Sequence, residues 1–191
     1  VDREDLERID TEIPGLILNT CEQRIIPLAD HLIGRVRDVD GDGRFTVLLT
    51  GKIAGVDGAE TTVEGFVRGA DYDPQLMAPF GNRSDLLYLD SRHHAGPHLR
   101  TILAHEYTHA VLAGRKGFSP DGQREGDGED AWLDEAIAHQ FETLHGFAST
   151  NLAHRVEAFF RAPERYSLVV ADYYASGLLR SHGPRGAAYL F

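Results

Sequence analysis

His105-Glu106-Tyr107-Thr108-His109 is an H-E-x-x-H run inside an apolar, helix-favouring segment. Two histidines at this spacing stand one helical turn apart, so both imidazoles leave the same face. Such a pair suits two corners of a tetrahedral zinc site. The glutamate beside the first histidine is placed to accept a proton from a metal-activated water. No Pro or Gly interrupts the segment from Leu99 to Ala113, which lets the helix run unbroken. On its wheel Ile102, His105, Glu106, His109 and Ala113 share one face, and Leu103, Tyr107, Ala110 and Val111 share the other. The second face suits a core. The first is an ionisable stripe, and its bland reading is a solvated surface with two ordinary histidines.

The next motif weighs against that bland reading. Trp132-Leu133-Asp134-Glu135-Ala136 opens a predicted helix over 132–142. Leu133, Ile137, Phe141 and Leu144 form its apolar face, and Glu135, Ala138, His139 and Glu142 the other. A carboxylate here would complete a two-histidine, one-carboxylate site with one coordination position left open. Glu135 is the first candidate and His139, on the same face, its rival; an exposed helix glutamate is the plain alternative. Ala136 and Ala138 keep this helix slim enough to approach the first. Glu142 or Asp134 could accept the outer N–H of a ligating histidine and so fix its ring.

Several elements must position these residues. At 191 residues and 42% hydrophobic content the chain can bury a core as one domain, with approximate lobes 1–116 and 117–191. A balance of 19 basic against 30 acidic side chains, net -11, argues against nucleic acid and anionic membrane surfaces as partners. No apolar run approaches the roughly 20 residues of a membrane span. The single cysteine, Cys21, excludes an internal disulfide framework and a cysteine-based zinc site, and reads as a small buried residue. No signal-peptide pattern lies within these residues. An opening at Val1 rather than Met and an apolar run ending at Phe191 lead us to expect a processed or longer natural protein.

The charged stretch 2–13 is expected to begin a helix, with Pro14-Gly15 interrupting before a second helical stretch over 16–33 that breaks near Pro27. Strands are predicted over 44–50, 63–68 and 85–90, with loops at 51–62 and 71–83. His93, His94 and His98 precede the motif helix and are assigned no role. Residues 114–130 read as a polar, glycine-rich surface loop, and 151–161, 166–179 and 183–191 as helices. Asp38-Val39-Asp40-Gly41-Asp42-Gly43 has the aspartate spacing of half a calcium loop, with Gly43 at the turn. Leu49 stands where that loop would need its bidentate glutamate. An Asx-type turn entering a strand is therefore preferred to calcium at Asp38, Asp40 and Asp42.

H-E-x-x-H followed by W-L-D-E-A resembles the gluzincin metallopeptidases, whose second motif is typically W-L-N-E-G/A or N-E-x-x-x-D. Asp40-Gly41-Asp42-Gly43-Arg44 ahead of a strand, and 183–191 as a late helix, are similar to hyicolysin-type and immune-inhibitor-like bacterial secreted metallopeptidases. The resemblance implies an α+β, zincin-like domain: a small mixed sheet packed on the H-E-x-x-H helix, followed by a mainly helical lobe. It implies one Zn2+ held by His105, His109 and Glu135, with Glu106 as general base. It also implies a protein or peptide substrate and an extracellular or periplasmic setting. The oxyanion donor it implies would come from Tyr173, Tyr174, His182 or Tyr189. Asp134 departs from the usual asparagine, and the gap to Glu135 exceeds that of thermolysin-like enzymes. The G-x-M-E-N exopeptidase motif is absent, which favours endopeptidase action. Two rival classes remain: a zinc-holding module that binds protein or glycan without turnover, and a metal-free helical interaction domain.

Overall fold

The computed structural model describes residues 1–55, 63–115, 130–147, 151–167 and 182–191. Helix α1 (Ile13–Thr20) passes through a π-helical turn, Cys21–Ile25, into α2 (Ile26–Leu32). Pro14 starts α1 instead of interrupting it, because a first-turn proline gives up an N–H that has no intrahelical partner anyway. Pro27 opens α2 in the same way, and the wider π turn ahead of it absorbs the missing donor. The charged residues before Ile13 lie in turns rather than in the expected helix. Their carboxylates hold the exit of the first strand: Gly51 N donates to Asp5 Oδ2 at 2.8 Å and Thr50 Oγ1 to Asp2 Oδ2 at 3.1 Å.

The three predicted strands form, each shorter than expected: β1 (Thr46–Leu49), β2 (Gly65–Val67) and β3 (Leu86–Leu89). The order is β1-β3-β2, with β1 parallel and β2 antiparallel to β3. The sheet is therefore mixed, and β3 is its centre. Alternation along β3 sends Leu87 and Leu89 into the core, while Tyr88 stacks on Phe66 of β2 at 4.6 Å on the other face. Gly65 lets β2 lie close over the motif helix. A Cβ there would stand 2.8 Å from Leu89 Cδ2 and 3.2 Å from Ile102 Cγ2.

Helix α3 (Pro97–Arg115) carries H-E-x-x-H and runs through the core. Ile17, Ile25, Leu87, Leu89, Leu103, Tyr107 and Val111 join the α1–α2 run, the sheet and α3 in one cluster. Leu103 is 1% exposed, and its burial alone contributes about 1.5–3 kcal/mol. Cys21 is a buried free thiol in this cluster, its pKa pushed up to about 12 by burial.

Helices α4 (Ala131–Leu144), α5 (Asn151–Arg161) and α6 (His182–Leu190) follow, with α4 packed between α3 and α6, and α6 on α5. The wheel of α4 is half right: Phe141 is buried and Ile137 packs on the core, but the opposite face is buried as well. Leu144 is 56% exposed, while Ala138, His139 and Glu142 are at most 1% exposed. The reason is crowding: α3 and α6 press on the side bearing the small alanines, where polar groups can be paired. Gly186 brings α6 just as close to α5, since a Cβ there would meet the Arg155 carbonyl oxygen at 2.1 Å. The helix expected over 166–179 and most of the loop expected over 114–130 lie outside the described residues. Among the described residues no helix is long and apolar enough to cross a membrane.

Candidate metal centre

The two motif histidines leave α3 toward α4. Their Nε2 atoms stand 3.1 Å apart, with ring centroids 4.7 Å apart and planes at 81°. Each outer nitrogen has a carboxylate from α4: His105 Nδ1 lies 2.7 Å from Glu142 Oε1, and His109 Nδ1 lies 3.0 Å from Asp134 Oδ1. An N–H on each Nδ1 donates to its carboxylate, which leaves the two Nε2 lone pairs turned toward each other. Glu135 joins them, its Oε2 3.5 Å from His105 Nε2. That oxygen is buried and has no hydrogen-bond partner among the described residues, while Oε1 accepts from an Arg185 guanidinium nitrogen at 3.1 Å.

This donor set fits a zinc ion. Donors about 2.0–2.1 Å from a tetrahedral zinc stand about 3.3 Å from each other. The observed separations of 3.1 and 3.5 Å bracket that value. One ligand atom each from His105, His109 and Glu135 lies within 4.8 Å of the others. Converging lone pairs and an unpaired buried carboxylate oxygen are costly unless a cation sits among them.

Burial disfavours a charged His105, but the carboxylates of Glu135 and Glu142 beside its ring outweigh it and push its pKa up to about 10. His109 is raised too, burial being outweighed by Asp134. Burial would lift Glu142, yet its two imidazole partners pull it down to about 2. Glu135 is likewise held well below the usual carboxylate range, its burial outweighed by His105 and Arg185.

Glu106 follows His105 on α3 and is 9% exposed. Its charge lies close enough to His105 to favour the charged imidazole. His139 is fully buried and grouped with His105 and Glu142 rather than with His109. Its Nδ1 lies 2.8 Å from Glu142 Oε1, and its Nε2 accepts from Arg155 at 3.2 Å. Nδ1 is taken up by Glu142 and Nε2 by Arg155, although Nε2 also comes within 3.8 Å of Glu135 Oε2. Burial holds its pKa down to about 4, so the ring is neutral.

Of the oxyanion candidates, Tyr173 and Tyr174 lie outside the described residues, as does the side chain of His182. The Tyr189 hydroxyl is 3.5 Å from Thr143 Oγ1, two helical turns from Glu135 along α4. β3 is the central strand, and β2 is an edge of the sheet among the described residues. Arg155 and Arg185 were not singled out in the sequence. Neither belongs to a local motif, and only Gly183 and Gly186, which allow close packing, hint that α6 comes near.

The aspartate turn is different. Asp38, Asp40 and Asp42 also come within 4.8 Å of one another, but all are exposed. Asp38 accepts from Gly41 N at 2.8 Å and Gly43 N at 3.0 Å, and Asp42 from Arg44 N at 2.7 Å. Gly41 and Gly43 take positive φ of 77° and 72°, which the turn requires. The carboxylates satisfy their own backbone, and nothing supports calcium there.

The mixed α/β architecture is compatible with an α+β class, and sequence similarity supports a metallopeptidase relationship. No family model matches the chain. The neutral metalloprotease ShpI of Staphylococcus hyicus is 31% identical over 148 residues, covering 72% of this chain and 32% of ShpI. The chain thus spans about a third of the length of the curated relative it matches.

Proposed function

We propose that the chain is a single zincin-like unit of gluzincin type that hydrolyses peptide bonds, with His105, His109 and Glu135 as zinc ligands and Glu106 as general base. The observation that carries this reading is the spacing of His105 Nε2 from His109 Nε2 and Glu135 Oε2, 3.1 and 3.5 Å, against about 3.3 Å between the donors of a tetrahedral zinc. Zinc held there would supply Lewis acidity, lowering the pKa of a coordinated water toward neutrality and polarising a substrate carbonyl.

The rest is work for the chain's own side chains. Glu142 and Asp134 hold the imidazoles with Nε2 inward, so that the ligands are arranged before the ion arrives. Arg185 ties up Glu135 Oε1 and leaves Oε2 to face the histidines. Glu106 takes the proton from the attacking water and passes it to the leaving amine as the C–N bond breaks. The free edge of β2, held over Ile102 by Gly65, would receive an extended peptide by strand addition. The substrate is a protein or peptide, cleaved internally, since the G-x-M-E-N motif of aminopeptidases is absent. An extracellular or periplasmic setting follows from the resemblance to secreted enzymes.

Casein hydrolysis by wild type and Glu106→Gln tests the reading. The variant should retain its zinc and lose about 10²–10⁴-fold in turnover. Equal cleavage by both would remove Glu106 from its role. Zinc without turnover in wild type would instead mark a non-hydrolytic module that binds protein or glycan.

A further inference from the structure

Behind Glu142 lies a second layer that the proposed chemistry does not use. Arg155 of α5 lies 3.2 Å from His139 Nε2, His139 Nδ1 lies 2.8 Å from Glu142 Oε1, and the same oxygen lies 2.7 Å from His105 Nδ1. The polarity of this chain is fixed from its outer end. A guanidinium only donates, so His139 Nε2 must accept and the ring's hydrogen must sit on Nδ1. His139 therefore donates to Glu142, and Glu142 Oε1 receives two imidazole N–H groups. His139 and Glu142 are 0% and 1% exposed, so no water substitutes for a lost partner at low cost. The helix that supplies Arg155 is seated by the Gly186 contact with its carbonyl.

We infer that His139, oriented by Arg155, is a positioning residue that holds Glu142 in place and thereby fixes the tautomer and ring angle of His105. This rests on the zinc-site reading above. It assigns His139 to the support of the site, not to its ligands, and makes α5 part of the metal centre at one remove. Without the His139 N–H, Glu142 could turn its oxygens away from His105, and the Nε2 lone pair would lose its fixed aim.

The test is zinc affinity, measured by competition with a colorimetric chelator, together with the circular dichroism and melting temperature of the metal-free proteins. His139→Leu should fold and bind zinc about 10–100-fold more weakly than wild type, the range for losing an outer partner of a ligating histidine. His139→Gln, which can still accept from Arg155 and donate to Glu142, should recover most of that loss. A merely structural role would lower the melting temperature without moving the affinity of the folded protein. Should His139→Leu fail to fold, Arg155→Met removes the outer donor instead and should weaken zinc by several-fold. Unchanged affinity in the folded variants, with zinc bound by wild type, overturns the inference alone. Wild type that binds no zinc overturns the site reading and this inference with it.

Discussion

Of the groups whose three potential metal ligands come within 4.8 Å of one another, two differ sharply in what the ligand atoms are doing. In the aspartate turn the carboxylates are exposed and accept backbone N–H groups from their own loop. At His105, His109 and Glu135 the inward-facing atoms are left without conventional partners, while every outward atom is held by a neighbour. Proximity of ligand types is common to both. Burial and outer atoms held by neighbours mark the second group, whereas the aspartates are exposed and bonded to their own turn.

Breaking the second site should have the larger effect. Glu135→Ala removes a buried oxygen that has no hydrogen-bond partner among the described residues and should reduce zinc occupancy after dialysis to a small fraction of the wild-type level. Retained zinc would shift the third ligand to another residue, and the contrast between the two clusters would lose its meaning. Asp38→Ala should leave zinc content untouched and cost about 1 kcal/mol of stability, read from the urea midpoint, because it deletes acceptors in an exposed turn. A calcium-dependent rise in the melting temperature of wild type, lost in this variant, would show that the turn was underrated.

The smallest expected effect sharpens what burial means at the end of α4. His145 is 4% exposed, stacked on Phe147 at 5.4 Å, and its Nε2 has no hydrogen-bond partner among the described residues. Burial, with Arg24 nearby, holds its pKa down to about 4. An unfolded histidine titrates near about 6.5, so between those values the unfolded chain binds more protons and stability falls as the pH is lowered. The urea midpoint of His145→Phe should therefore drop less than that of wild type between about pH 7 and pH 5. Equal drops would mean that His145 is charged in the fold.

The site motifs were legible because helical spacing converts sequence directly into geometry: His105 and His109 must share a face, and Asp134, Glu135 and Glu142 recur on the next helix at offsets that can face them. The strands were legible from their apolar runs, though strand order, with β3 at the centre, was not. The wheel of α4 placed Phe141 and Ile137 correctly but missed that the opposite face is buried too. Periodicity reports which face is more apolar, whereas packing also buried the face with small residues and pairable polar groups, and left Leu144 outside. Pro14 and Pro27 were read as breaks because first-turn and interior prolines look alike until the helix start is known. Arg155 and Arg185 had no local pattern at all. Their roles come from contacts of 16 and 50 residues' separation that only the fold creates.

X-ray absorption at the zinc edge of the purified protein is the most direct test of the central claim. The account predicts one zinc per chain with two imidazoles, one carboxylate oxygen and one further light ligand, and loss of that signal in a His105→Ala/His109→Ala variant. A protein that takes up no zinc, or the same zinc spectrum in that variant, would contradict it.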